Sequence, residues 1–220
     1  MRRTALGLTA VAAGYAWLHR LGRSAGSTAA ERAAAVPGDE VVARPDLTTD
    51  HAVDVDASAD AVWPWLTQMG WHRGGWYTPR WVDVLLFPGN RPSADRLEPD
   101  LVRDLAVGDT VPDGPPGTAF FEVVRVDRPH VLVLRSTTHV PPGWTERFGV
   151  RLLWTWSFHL TERPGGGSRV HLRVRGTCSP WWFAATYRTL LIPADYVMAM
   201  GMLRGLRRRV EGENASVRWL

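Results

Sequence analysis

Residues 150–178 read VRLLWTWSFHLTERPGGGSRVHLRVRGTC, and this stretch decides the fold. Val150, Leu152, Trp154, Trp156, Phe158 and Leu160 recur at every second position, as do Val170, Leu172 and Val174 beyond a turn at Pro164 to Gly167. A β-strand has a side-chain period of two, so each set shares one face of a hairpin. If the turn closes between Glu162 and Ser168, Trp156 faces Val174 and Phe158 faces Leu172 on the inner side, while His159 faces His171 on the other. A slip of one residue would turn Arg169, Arg173 and Arg175 inward, so the alternation sets the register. The three arginines mark the wet face in this reading.

Working outward, Phe120 to Val126 and His130 to Thr138 also read as strands, joined by a turn at Asp127 to Pro129, which extends the hairpin into an antiparallel meander. Upstream, His51 to Asp56 alternates as a strand does. Ser58 then offers an N-cap, and Val62, Trp65, Leu66 and Met69 fall on one helical stripe, in a helix that Pro64 is expected to bend. Trp71 to Phe87, rich in aromatics and glycine, reads as loop and short helix. Downstream, Ala184 to Glu211 has helical period, broken at Pro193, with Ile192, Tyr196, Ala199, Leu203, Leu206 and Val210 along one stripe. A sheet and a long amphipathic C-terminal helix, each apolar on one side, bury both sides only if the sheet curls about the helix, which gives an α+β domain.

The chain divides into a leader with linker at 1–35, this domain at 36–212 and a tail at 213–220. Residues 4–18, TALGLTAVAAGYAWL, carry no charge and follow Arg2 and Arg3. As a helix they span about 22 Å, short of the roughly 30 Å hydrocarbon core. Three readings stand: a membrane anchor or surface helix, a loosely packed leader, and a cleaved signal, the last opposed by His19, Arg20 and Arg23 ahead of the small residues Ala33 and Ala35. The expected setting is a membrane-associated protein with a cytoplasmic domain, or a cytoplasmic one. Gly22 to Gly26 spells GxSxG, but a nucleophile elbow needs a strand before it and a helix after it, so Ser24 is discounted as a nucleophile.

Composition narrows the chemistry. The basic residues are 26 arginines with no lysine, which removes Schiff-base and phosphate-loop mechanisms. The one cysteine, Cys178, cannot pair within the chain and reads as a small buried residue. Residues 1–50 carry 6 Arg against 5 acids (+1), 51–140 carry 8 against 12 (−4) and 141–220 carry 12 against 5 (+7). The basic excess sits on the alternating face of one strand and near a helix C-terminus, where it complements the dipole, so no nucleic acid is expected as a partner. No cofactor is indicated.

Four segments also carry motifs similar to those of a known family: PGDE at 37–40, AVWPWLTQMGWHRGGWYTPRWVD at 61–83, SADRLEPDLVRDLAVGDTVP at 93–112 and DYVMAMGMLRGLRRRVEG at 195–212. The chain resembles the SRPBCC superfamily, the START and polyketide-cyclase-like helix-grip proteins, over about residues 30 to 212. Its nearest likeness is to a bacterial subgroup with a VWPWLxQMG helix and a GRGGWYS-like loop. The resemblance implies a helix-grip fold, in which a curved antiparallel sheet wraps a long C-terminal helix around an apolar cavity. It implies binding, or transport, of a hydrophobic small molecule such as a lipid or isoprenoid. Alternatives are a cyclase or dehydratase acting on such a molecule, and a membrane- or protein-interaction module. Trp71, Arg73, Gly74, Gly75, Trp76 and Tyr77 map onto the family loop, whereas no catalytic residue carries over. Thr78 stands where serine is usual, and the Val84 to Arg91 region is short.

Candidate site residues follow from the faces. The twelve tryptophans include Trp71, Trp76, Trp154 and Trp156, placed to form aromatic walls of a pocket or simply a core. Glu122 and Arg135 fall opposite each other if Val126 pairs with Val131, either as a ligand-orienting pair in the cavity or as a surface pair. Tyr187 and Tyr196 are the hydroxyls available on the C-terminal helix. His72 and His139 are possible acids or bases at the cavity mouth. His159 and His171 meet side by side but lack a third ligand, so no metal site is expected.

Overall fold

A computed structural model describes residues 2–86 and 88–217. Six antiparallel strands form one sheet: β1 (Leu47–Val55), β2 (Thr110–Pro112), β3 (Phe120–Asp127), β4 (Val131–Ser136), β5 (Arg151–Glu162) and β6 (Ser168–Ser179), in spatial order β1-β6-β5-β4-β3-β2. The helices are α1 (Arg2–Ser24), α2 (Ala29–Ala33), α3 (Ala59–Gln68), α4 (Arg80–Leu86), α5 (Trp144–Phe148), α6 (Trp181–Thr186) and α7 (Ile192–Val217), with a π-helical turn at Tyr187–Leu191 leading into α7. This is an α+β helix-grip architecture, the curved sheet closing on α7. Phe87 and residues 218–220, the end of the expected tail, lie outside the described residues, and 213–217 continue α7.

The hairpin register is the expected one: Trp156 pairs Val174, Phe158 pairs Leu172, His159 pairs His171 and Glu162 pairs Ser168. Gly165, Gly166 and Gly167 all have φ between 79° and 103°, a conformation that side chains resist, which is why the turn needs them. Phe158, Leu160, Val170 and Leu172 are buried against Ala199, Leu203, Leu206 and Val210 of α7, the stripe expected from the sequence. The helix break expected at Pro193 falls just before it, as the π turn at Tyr187–Leu191, and Pro193 sits in the first turn of α7. α3 starts on Ser58, whose side chain accepts from the Ala61 amide, and runs through Pro64 to Gln68. α7 comes so close to the loop after α3 that a Cβ at Gly205 would lie 1.8 Å from the Tyr77 carbonyl oxygen.

Two expectations are corrected. In β3 a bulge lies between Val123 and Arg125, so Asp127, not Val126, pairs with Val131. The extra residue resets the alternation, and Val126 rather than Arg125 packs against the core. The outer face of β6 is also not a wet face. His171 and Arg173 are buried because residues 28–43 lie across them. Arg173 donates to Asp50 (2.8 Å), Asp39 (2.9 Å) and the carbonyls of Glu31 and Ala34, and Arg169 pairs with Glu31. A guanidinium whose donors all meet oxygens can be buried, and alternation alone does not reveal those distant partners.

α1 docks by its C-terminal half. Tyr15 donates to the Thr189 carbonyl, His19 Nε2 lies 2.9 Å from the Arg188 carbonyl, and Gly22 meets the Ile192 backbone. Val11, Tyr15, Trp17 and Leu18 remain exposed. Among the described residues no helix is long and apolar enough to cross a membrane.

Candidate functional site

The inner face of β5 carries Leu152, Trp154, Trp156 and Phe158 toward α6 and α7. Trp154 lies opposite Gly176 in the register, where a missing side chain leaves room for the indole. Phe121, inward on β3 and fully buried, is the hub of an aromatic cluster. Its ring centroid lies 5.8 Å from Trp76, 5.3 Å from Trp156, 6.2 Å from Trp154 and 4.7 Å from His139. Tyr187, on the π turn, meets Trp154 edge-on at 6.2 Å. The cluster joins the main core to a second one under α6. The indole Nε1 of Trp76 and of Trp154 is buried and has no hydrogen-bond partner.

The loop that supplies Trp76 is pinned by its family-like residues. Gly70 and Gly75 exchange backbone hydrogen bonds, and Arg73 donates to the carbonyls of Thr67 (2.8 Å) and Leu101 (2.6 Å). Tyr77 is fully buried, donates to the Trp65 carbonyl at 2.8 Å and accepts from Gln68. Burial raises the Tyr77 and Tyr187 phenols well above their ordinary range, so both stay protonated donors. Thr78, at the usual serine position, donates to Asp83.

Beside the aromatic cluster sits a polar group. Thr49 Oγ1 donates to Asp195 Oδ2 at 2.8 Å, and His51 Nε2 lies 3.1 Å from the same oxygen. His51 is fully buried and its Nδ1 has no partner. Thr49, Asp195, Trp154, Val174, Tyr187 and Ile192 bound a pocket of about 40 Å³ between sheet and helix. That is room for water but far below the roughly 300–1,000 Å³ of ligand sites, so the expected cavity is nearly closed at this point. A second polar group lies at the end of β4: His139 Nδ1 is 2.7 Å from Ser136 Oγ and its Nε2 is 2.7 Å from Asp113 Oδ2.

Of the residues singled out from sequence, Trp76, Trp154, Trp156 and Tyr187 come together. Trp71 stacks edge-on against His72 at 5.4 Å, while Arg73 and Tyr77 hold the loop. Tyr196 packs beside the core with Arg204 over its ring. Glu122 and Arg135 do pair, at 2.7 Å, but on the outer face with side chains 38% and 40% exposed, away from the aromatics. Phe121, Thr49, His51, Asp195, Ser136 and Asp113 were missed. The strand alternation places Phe121, but nothing local links Thr49 and His51 to a helix residue 144 and more positions later. Cys178 is buried, and burial pushes its thiol up to about 11. Among the described residues no three His, Cys, Asp or Glu side chains are grouped to hold a metal ion.

No family model and no curated protein matches the chain. Solved structures of similar arrangement include a hypothetical protein, jhp0584, from Helicobacter pylori, with 10% identity, TM-score 0.48, and 80% of this chain and 95% of that one covered. Norcoclaurine synthase from Thalictrum flavum gives 15%, 0.42, and 74% and 86%. CalU16 from Micromonospora echinospora gives 16%, 0.35, and 78% and 88%. The chain itself has the α+β helix-grip architecture expected from its sequence, six antiparallel strands closing on a long C-terminal helix. At these identities and scores the likeness carries nothing about chemistry.

Proposed function

We propose that this chain binds a flat, hydrophobic small molecule between its sheet and C-terminal helix. The observation that carries the reading is the contiguous aromatic cluster of Trp76, Phe121, Trp154, Trp156 and Tyr187, of which Trp154 and Tyr187 line the pocket, with two buried indole donors left unpaired. A buried N–H without a partner costs about 1–3 kcal/mol, which a ligand acceptor would recover. Thr49, Asp195 and Tyr187 form the polar end of the cleft and suit a hydroxyl or amine on the ligand.

In this reading the narrow pocket requires an opening, and the π turn is its natural place. Tyr187 and Leu191 bound the pocket, while Leu190 and Leu191 are themselves exposed. In the proposed mechanism the turn swings outward to admit the ligand, since π turns are locally irregular and recur at functional sites.

The test is native mass spectrometry of the full chain purified gently from a bacterial host, followed by solvent extraction and titration with anilinonaphthalene sulfonate. A stoichiometric apolar molecule that leaves on denaturation supports the reading. An empty protein that also fails to bind the dye overturns it.

A second reading, of membrane contact, rests on the exposed Val11, Trp17 and Leu18 of α1 beside Leu190. In it α1 lies along the lipid surface and brings the π turn to it. Flotation with anionic vesicles should be lost in the double variant Trp17→Ser, Leu18→Ser, and unchanged flotation would exclude it.

A further inference from the structure

We infer that Ser136 is a base-activated nucleophile and that the chain hydrolyses small apolar esters. Ser136, at the end of β4, pairs in register with Trp154 and so lies on the inner face. His139 packs against both Phe121 and Trp154, at 4.7 Å and 5.1 Å, and touches Ser136 with one ring nitrogen and Asp113 with the other. The ionised Asp113 can only accept, so it selects the tautomer with the proton on Nε2 and leaves Nδ1 bare. Thr138 Oγ1 already donates to the Phe120 carbonyl at 3.0 Å, so it has no proton for Ser136, and the Thr138 amide donates to Ser136 Oγ at 3.1 Å. The Ser136 hydroxyl proton therefore goes to its shortest acceptor, His139 Nδ1. Nucleophile, base and orienting carboxylate are thus arranged as a proton relay.

A pocket opens at the next residues along the chain. Its volume is about 560 Å³, and its mixed lining includes Thr137, Val140, Thr145, Arg151, Leu152 and Cys178, of which Thr137 and Val140 are the chain neighbours of Ser136 and His139, while Ser136 itself is buried behind Thr137 and must be reached from the pocket. An acyl chain of a few carbons fits there. As Ser136 Oγ bonds to the acyl carbon, its proton passes to Nδ1. The ester C–O bond then breaks and the departing alkoxide takes that proton. Water next attacks the acyl-serine and gives a proton to Nδ1. The acyl–Oγ bond breaks, the carboxylic acid leaves, and Oγ recovers its proton. Only water is consumed. Asp113 is a positioning residue throughout.

This inference does not rest on the binding reading, because a small probe needs no occupant in the aromatic cleft. The experiment is reaction of the full chain with an alkyl fluorophosphonate, in which an Oγ–P bond forms and fluoride leaves, read by intact mass and peptide mapping, with p-nitrophenyl butyrate hydrolysis alongside. The expected result is one adduct, on Ser136, absent in Ser136→Ala. Asp113→Asn and His139→Gln should slow labelling by about 10²–10⁴-fold at unchanged melting temperature, and Asp113→Glu should recover part of the rate. No adduct on Ser136 in the folded wild type after hours with excess probe overturns the inference, whatever the variants do. So does equal labelling in a folded His139→Gln.

Discussion

Replacing His159 by phenylalanine should flatten the acid side of the stability curve. His159 sits under residues 28–43 with only 7% of its surface exposed, its Nε2 has no partner, and its ring centroid is 5.9 Å from that of His171. Burial first, then the charges of His171 and Arg173, push its titration from the ordinary 6.5 down to about 4. The unfolded chain therefore binds a proton near pH 6.5 that the folded chain refuses until about pH 4. Stability is fully present above pH 6.5 and falls as the pH drops through that window. At about 1.4 kcal/mol per pH unit the loss is about 3 kcal/mol, or on the order of 6–12 °C in melting temperature for a domain this size. Urea unfolding of wild type and variant at pH 7, 6, 5 and 4.5 measures it. Phenylalanine keeps the shape and cannot titrate, so the two curves should converge toward acid pH. Glu31 acts in a different window: its hydrogen bond to Arg169 lowers it from 4.5 to about 2, so its contribution is lost only below pH 4.5. If wild type and His159→Phe lose stability in parallel between pH 6.5 and 4.5, the burial argument is wrong.

Three further outcomes follow from the same geometry. Trp154→Phe removes an unpartnered indole N–H while keeping most of the apolar wall, so stability should change by less than about 1.5 kcal/mol, while dye or ligand affinity drops about tenfold in a fluorescence titration. Gly205→Ala places a Cβ 1.8 Å from the Tyr77 oxygen and should cost about 3 kcal/mol or prevent folding, whereas Gly212→Ala, with nothing within 4 Å, should be neutral or stabilising; thermal melting separates the two. Glu122→Ala should cost less than about 1 kcal/mol, since the pair with Arg135 is well exposed, and should leave ligand binding untouched in the native mass spectrum.

The hairpin and the last helix were legible because their information is local. Trp154, Trp156 and Phe158 alternate with a period that only a strand has, and Ala199, Leu203, Leu206 and Val210 with one that only a helix has, so faces and register follow from spacing. β3 was ambiguous because both of its faces are apolar. The bulge between Val123 and Arg125 reverses the phase, and packing alone determines that Phe121 and Val126 look inward while Glu122 looks out. Arg173 and His171 read as surface residues because the oxygens that satisfy them are distant in sequence: Ala34 and Asp39 for Arg173, 139 and 134 residues earlier, and Asp50 of β1 for His171, 121 residues earlier. The two polar groups of the site were invisible for the same reason. His51 meets Asp195 across 144 residues and His139 meets Asp113 across 26, and no periodicity records a contact between elements that only the closed sheet brings together. Sequence determined which residues share a face, a property of the backbone period; tertiary structure decided what each face meets, a property of the whole chain's packing.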